Sequence, residues 1–206
     1  MNGTWILDAR GQRYDLTGVG ATLAEPSLDA MAHACAQIVR FNGHCKRPYS
    51  VAEHQLLCAH IAFDLGHPRL VQLACLTHDL HEAYVGEVVS PLKWAMGDAW
   101  AAIEHPHTVR VRKHLGLETV FTAHRSTIKR IDLIALATER HNLLPWDPDT
   151  CDPWPLLDTP GSEVEPHWEI DLDTATRLVM TWEQWRDLYL ETYHDLRRQA
   201  VLEVQQ

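Results

Sequence analysis

From about Ser27 onward the apolar residues recur at helical spacing, and this periodicity does most to narrow the fold. Leu28, Met31, Ala32, Cys35, Ile38 and Val39 stand three and four apart until Asn42-Gly43 stops the run. Such spacing gives each helix one apolar face that must be buried against another helix. A loop follows, and Ser50-Val51-Ala52-Glu53 then predicts a helix start, because the serine side chain can cap the Glu53 amide while the glutamate reciprocates. That helix carries Val51, His54, Leu57, Cys58 and Ile61 on one face and should end near Gly66-His67-Pro68. Further helices are expected over 69–80, 100–115 and 126–143, the last capped by Ser126. Gly86, Pro91 and Gly97 predict irregular chain over 82–99.

The flanks read differently. Trp5-Ile6-Leu7 and Tyr14-Asp15-Leu16 enclose a polar turn, so residues 1–20 predict a short hairpin. Six of the eleven prolines fall between Pro145 and Pro166, together with Trp146, Trp154 and Trp168. Fixed φ angles with large aromatics predict an extended arm over 144–170, laid on the domain, before a final helix at 171–200. With 206 residues and no internal repeat, the expectation is one mostly helical domain over 1–206 with its core in 27–143.

Composition excludes several classes. Acidic residues outnumber basic ones, 28 to 18, for a formal charge of −10, which argues against nucleic-acid polymers and anionic membranes as partners. No apolar run reaches the length of a membrane span, and Met1-Asn2-Gly3-Thr4-Trp5 lacks the layout of a signal peptide. The five cysteines contain no Cys-x-x-Cys pair and read as reduced thiols, so a cytoplasmic protein is expected.

Three of the expected helices each carry a metal-capable side chain on the apolar face. His54 shares a stripe with Val51, Cys58 and Ile61. Leu73, Ala74 and Thr77 lead to the adjacent pair His78-Asp79, and Asp132 lies in register with Ile128, Ala135 and Leu136. A buried carboxylate must be paired, protonated or metal-bound. Two imidazoles and two carboxylates make an N/O ligand set for one divalent ion (Co, Mn, Zn, Fe or Mg), able to lower the pKa of a bound water. Each residue alone has a plainer reading: His54 as a hydrogen-bonded core histidine, His78-Asp79 as a helix-terminal pair, Asp132 as a partner for Lys129. The three together, in this order, favour the metal.

At these residues the chain resembles the HD-domain metal-dependent phosphohydrolases, whose pattern is a histidine, an adjacent His-Asp and a distant aspartate. Arg40-Phe41-Asn42-Gly43-His44, Tyr49-Ser50-Val51-Ala52-Glu53-His54 and His78-Asp79-Leu80-His81-Glu82-Ala83-Tyr84 are similar to the small nucleotide-hydrolase branch. So are Pro91-Leu92-Lys93 and Ala137-Thr138-Glu139-Arg140. That branch holds bacterial 5′-deoxynucleotidases and phage deoxynucleoside triphosphate triphosphohydrolases. The resemblance covers residues 1–145 and implies an all-α HD-domain helical bundle. By resemblance His54, His78, Asp79 and Asp132 bind the metal, Asp79 and Glu82 are catalytic, and Glu82 does general acid/base work. Lys93 and Lys129 contact phosphate, Arg40 approaches the phosphates and sugar, and Phe41 packs by the nucleoside. Glu87 stands where the family has an aspartate near the sugar, and Phe41 where some relatives have tryptophan. Homo-oligomerisation is implied as well.

The resulting expectation is a (deoxy)nucleotide phosphohydrolase in which a metal-activated water attacks the phosphorus next to the 5′ oxygen. Lys46-Arg47 could reach a β/γ tail, which tips the expectation toward a dNTP triphosphohydrolase over a dNMP 5′-nucleotidase. Two alternatives stand beside it. An HD-type diiron oxygenase or dinuclear phosphodiesterase would recruit extra histidines, here His105, His107, His114 or His124. A non-catalytic nucleotide-binding domain would keep the pocket idle.

Overall fold

The computed structural model describes residues 4–17 and 24–204. The outer ends of the expected 1–20 hairpin, residues 1–3 and 18–20, lie outside the described residues. Strands β1 (Trp5–Leu7) and β2 (Arg13–Asp15) pair antiparallel with Ile6 opposite Tyr14. Asp8 holds the turn, its carboxylate accepting from the amides of Arg10 and Gln12 at 2.9 and 3.0 Å. Ten α-helices follow among the described residues, so the chain is mostly helical with one small sheet.

Helix α1 (Leu28–Cys35) is capped by Ser27 and leads into a tight turn at 40–43. The chain doubles back there, and a bridge between Val39 and Ser50 closes the loop. The capping box at Ser50 and Glu53 is formed and starts α2 (Val51–Asp64). Helix α3 (Arg69–Thr77) packs along α2. Then come α4 (Glu82–Val85), α5 (Ser90–Met96), α6 (Asp98–Leu115), α7 (Glu118–Ala123) and α8 (Arg125–Leu143). Helix α8 lies against α2 and α3, and α10 (Trp182–Val204) closes over α3. Leu57, Ile61, Leu73, Leu76, Ile131 and Tyr189 are fully buried between these helices. At about 1.5–3 kcal/mol for each large apolar side chain, this seam supplies most of the cohesion.

The hairpin is attached by one aromatic. Tyr14 is fully buried, and its ring stacks on Tyr84 with centroids 3.6 Å apart. Its hydroxyl donates to His107 Nδ1 at 2.9 Å, while His107 Nε2 donates to the Leu16 carbonyl at 3.1 Å. Burial holds the His107 pKa down, so the ring is neutral and belongs to this structural contact.

Several boundaries differ from the expectation. The helix expected over 69–80 ends at Thr77, whose hydroxyl donates to the Leu73 carbonyl at 2.8 Å. The 82–99 stretch contains α4 and α5, because Pro91 sits in the first turn of α5, where its missing N–H costs nothing. Gly97, at φ 54°, separates α5 from α6. Ser126 does not cap α8, which begins one residue earlier after His124. The single helix expected over 171–200 is α9 (Ala175–Val179) and α10, separated by an extended Met180. Thr181 and Gln184 break it: the Gln184 side chain accepts from the Thr181 amide at 2.8 Å, and the Thr181 hydroxyl accepts from the Gln184 amide at 3.4 Å. This reciprocal cap starts a new helix rather than continuing the old one.

The arm over 144–170 contains no helix and lies on α8. Arg140 pairs with both oxygens of Asp158 and stands 3.8 Å over the Trp146 ring. Leu157 and Val164 pack on Ala137, and the Thr138 hydroxyl accepts from the His167 amide at 2.9 Å. No described helix is long and apolar enough to cross a membrane.

Candidate metal centre

Each donor owes its position to a local feature of the chain. The capping box fixes the first turn of α2, so His54, one residue further on, is completely buried facing α3 and α8. Helix α3 stops at Thr77, so His78 closes the helix end and Asp79 projects from the turn beyond it. On α8, Asp132 and Glu139 are seven residues apart, two helical turns on one face.

These elements bring four polar atoms together. His54 Nε2 and His78 Nε2 are 3.3 Å apart. Asp132 Oδ1 lies 3.4 Å from His54 Nε2 and 3.7 Å from His78 Nε2. Asp79 Oδ2 lies 3.1 Å from His78 Nε2 and 3.7 Å from His54 Nε2.

The far side of each ring fixes its tautomer. His78 Nδ1 donates to the Cys75 carbonyl at 2.8 Å. His54 Nδ1 donates to Glu139 Oε1 at 2.6 Å. Glu139 is fully buried, yet Arg40 and His54 together hold its carboxyl below the ordinary range against that burial. With both Nδ1 atoms protonated, two Nε2 lone pairs and two carboxylates face one another. That arrangement is repulsive until positive charge enters it.

Protons are one source of such charge. Burial works against a charged His78, but Asp79 and Asp132 outweigh it and hold the ring up at about 10. The imidazoles in turn pull Asp79 and Asp132 well below the usual carboxylate range, against the effect of burial. A divalent cation is the other source. His54, Cys58, His78 and Asp132 offer donor atoms that all lie within 4.8 Å of one another and could hold a metal ion. Backbone and carboxylate acceptors behind ligating imidazoles are the usual support of such a centre, so the donor set fits the group.

Around the centre lies a ring of charge. Glu82 is buried, and among the described residues its Oε2 has no hydrogen-bond partner. Burial, then Asp79 and Glu87, push its carboxyl well above the ordinary value and so toward the neutral form. Lys93 Nζ is 2.7 Å from Glu104 and 3.8 Å from Glu82. Lys129 Nζ reaches Asp132 Oδ2 at 2.8 Å from an exposed position. The buried Arg40 lies 3.0 Å from Glu139 and 3.4 Å from Glu87, which joins both glutamates to the His54 side of the centre. Phe41, beside Arg40, is half-buried at φ 53°, a backbone region that side chains other than glycine adopt at a cost of about 1–3 kcal/mol.

The structure thus links Arg40, Glu82, Glu87, Lys93 and Lys129 by contacts to the residues around His54, His78, Asp79 and Asp132, with Phe41 beside Arg40, while the expected basic pair is engaged elsewhere. Arg47 is buried and donates to Glu53 Oε2 at 2.8 Å and to the Leu172 carbonyl at 2.9 Å, so it braces α2 and the arm. Lys46 donates to the Asn142 carbonyl at 2.9 Å. Of the histidines between the His-Asp pair and Asp132, His81 joins Asp79 and Glu82 in a second group of potential donors, His107 is used by the hairpin, and His105, His114 and His124 join no donor cluster among the described residues. Two participants were not singled out from sequence. Glu139 was legible as the residue two turns beyond Asp132, and Cys58 as the residue one turn beyond His54.

No family model matches the chain. An uncharacterized protein of Escherichia coli K12, YfdR, is 33% identical over 138 residues, 66% of this chain and 71% of YfdR. An uncharacterized protein of Rhodobacter capsulatus, RCAP_rcc00048, is 30% identical over 149 residues, 69% of this chain and 74% of that protein. By this identity and coverage the chain belongs to one family with those two proteins.

Proposed function

We propose that the protein is an HD-domain phosphohydrolase that cleaves the bond between phosphorus and the 5′ oxygen of a deoxynucleotide. The observation that carries this reading is the pairing of a two-imidazole, two-carboxylate cluster with a neighbouring buried glutamate, Glu82, whose Oε2 has no hydrogen-bond partner among the described residues. The divalent ion held by His54, His78, Asp79 and Asp132 would neutralise phosphoryl oxygens and lower the pKa of water to supply the nucleophile.

The side chains account for the rest of the reaction. Glu82 donates a proton to the departing 5′ oxygen as the P–O bond breaks, a role suited to a carboxyl whose proton affinity is raised by burial. Lys93 and Lys129 supply point charges for the remaining phosphoryl oxygens. Arg40 holds Glu139 and Glu87 in place and presents Phe41 toward the nucleoside. Since Arg47 is committed to Glu53 and the arm, the basic residues beside the centre match one phosphoryl group rather than a triphosphate tail. The monophosphate is therefore the favoured substrate, opposite to the expectation from Lys46-Arg47. A dinuclear reading draws no support from His105, His107, His114 or His124; among the described residues the donor atoms that could serve a second ion are those of Asp79, His81 and Glu82, and Lys93 Nζ already stands 3.8 Å from Glu82.

The deciding experiment incubates the full chain with dAMP and with dATP across several divalent ions and identifies the phosphorus product. Orthophosphate from dAMP supports the reading. Tripolyphosphate from dATP would restore the triphosphohydrolase, and no turnover of either with any ion would reject hydrolysis of nucleotides at this bond.

A further inference from the structure

The cluster holds one donor that the histidine and aspartate pattern does not include. Cys58 lies one turn beyond His54 on α2, fully buried, with Sγ 3.6 Å from His54 Nε2. Its sulfur is within 4.8 Å of the donor atoms of His54, His78 and Asp132. We propose that Cys58 is a direct ligand of the ion together with His54, His78 and Asp132, an N2OS donor set that selects zinc, cobalt or ferrous iron over magnesium.

Geometry supports this. Metal–nitrogen and metal–oxygen bonds of about 2.0–2.1 Å and a metal–sulfur bond of about 2.3 Å set the spacing of ligands at a tetrahedral angle. Two nitrogens, or a nitrogen and an oxygen, then stand about 3.3–3.4 Å apart, and a nitrogen and a sulfur about 3.6 Å. The observed separations are 3.3 Å for His54 and His78, 3.4 Å for His54 and Asp132, and 3.6 Å for His54 and Cys58. The thiol thus stands at a ligand's spacing from His54, while His78 and Asp132, 3.7 Å apart, are a few tenths of an ångström wider. Ligation exchanges the thiol proton for the metal, and a soft thiolate favours borderline ions over hard ones.

The inference rests on the metal reading above, and cobalt spectroscopy separates the two. The full chain is freed of metal by chelation under reducing, oxygen-free conditions and titrated with Co(II). The expected spectrum has visible d–d bands and an intense near-ultraviolet thiolate-to-cobalt charge-transfer band. Cys58→Ser and Cys58→Ala should lose the near-ultraviolet band, keep the visible ones, and bind cobalt about ten-fold or more weakly, since even supporting contacts are worth that much. Cys75→Ser should keep both sets. Visible bands without the charge-transfer band in the unaltered protein would overturn Cys58 as a ligand and leave the centre standing. A charge-transfer band that survives in the Cys58 variants would also overturn the assignment. No cobalt spectrum in the unaltered protein would remove the metal reading and this inference together.

Discussion

Glu139 accepts a 2.6 Å hydrogen bond from His54 Nδ1 while its other oxygen faces Arg40 at 3.0 Å. One fully buried carboxylate therefore fixes the tautomer of a metal-facing imidazole and neutralises a buried guanidinium. Glu139→Gln keeps the shape but loses the charge. Metal affinity should fall about 10–100-fold, as measured by isothermal titration, because the acceptor behind the ring is weakened. Stability should fall by about 3 kcal/mol in urea unfolding, since Arg40 is left with only the longer contact to Glu87. Unchanged metal affinity would mean that His54 is not held through Glu139.

The metal-free protein should lose stability as pH rises from about 6.5 toward 10. Asp79 and Asp132 raise the folded His78 from 6.5 to about 10, so the native state binds the extra proton across that window. Its contribution is complete below 6.5 and disappears as pH climbs through about 10. The depressed carboxylate of Asp132 works from the other side, its contribution being present above 3.8 and lost as pH falls further. Thermal melts of the chelated protein should therefore peak between about pH 4 and 6.5. Metal-saturated protein should stay flat over the alkaline limb, because the cation replaces the protons there. Equal alkaline loss with and without metal would count against the centre.

Glu82→Gln removes the proton donor and leaves the His and Asp donors untouched. Phosphate release from the nucleotide should slow by about 10²–10⁴-fold with metal content unchanged by elemental analysis. Asp79→Ala should instead reduce both turnover and metal content. A Glu82→Gln protein of full activity would exclude the assigned role.

Arg140 pins the arm through Asp158, Trp146 and Trp154. Arg140→Ala should cost about 1–2 kcal/mol, the loss expected for charge-assisted hydrogen bonds to a partly exposed carboxylate. It should also expose 144–170 to limited proteolysis before the helices are cut. A cleavage pattern identical to that of the unaltered protein would show that the apolar contacts of Leu157 and Val164 hold the arm alone.

How much of this was legible in the sequence depends on how far apart the partners lie. The start of α2 was read from Ser50 and Glu53 because both halves of the cap are four residues of one segment. The inward faces of His54 and Asp132 followed from helical spacing alone. Thr181 and Gln184 carry the same kind of signature, but the apolar pattern around them runs on, and the break before α10 was not expected. Residues after Thr77 still fit a helical face, which hid the stop that frees Asp79 to turn toward His78. The place of Arg47 was not legible at all: beside Lys46 it reads as charge for a phosphate tail, and its acceptor at Leu172 lies 125 residues away. Local chemistry is visible in a short window, and a long-range acceptor is not.

The position of Arg47 has a practical consequence. A construction engineer would call it a tie-rod, since one guanidinium joins the cap of the helix bearing His54 to the backbone just past the arm. Shortening the chain after Leu143 would strip Arg47 of the Leu172 carbonyl and loosen the first turn of α2. The segment after Leu143 thus steadies the helix that bears His54, although among the described residues none of its side chains joins the donor cluster.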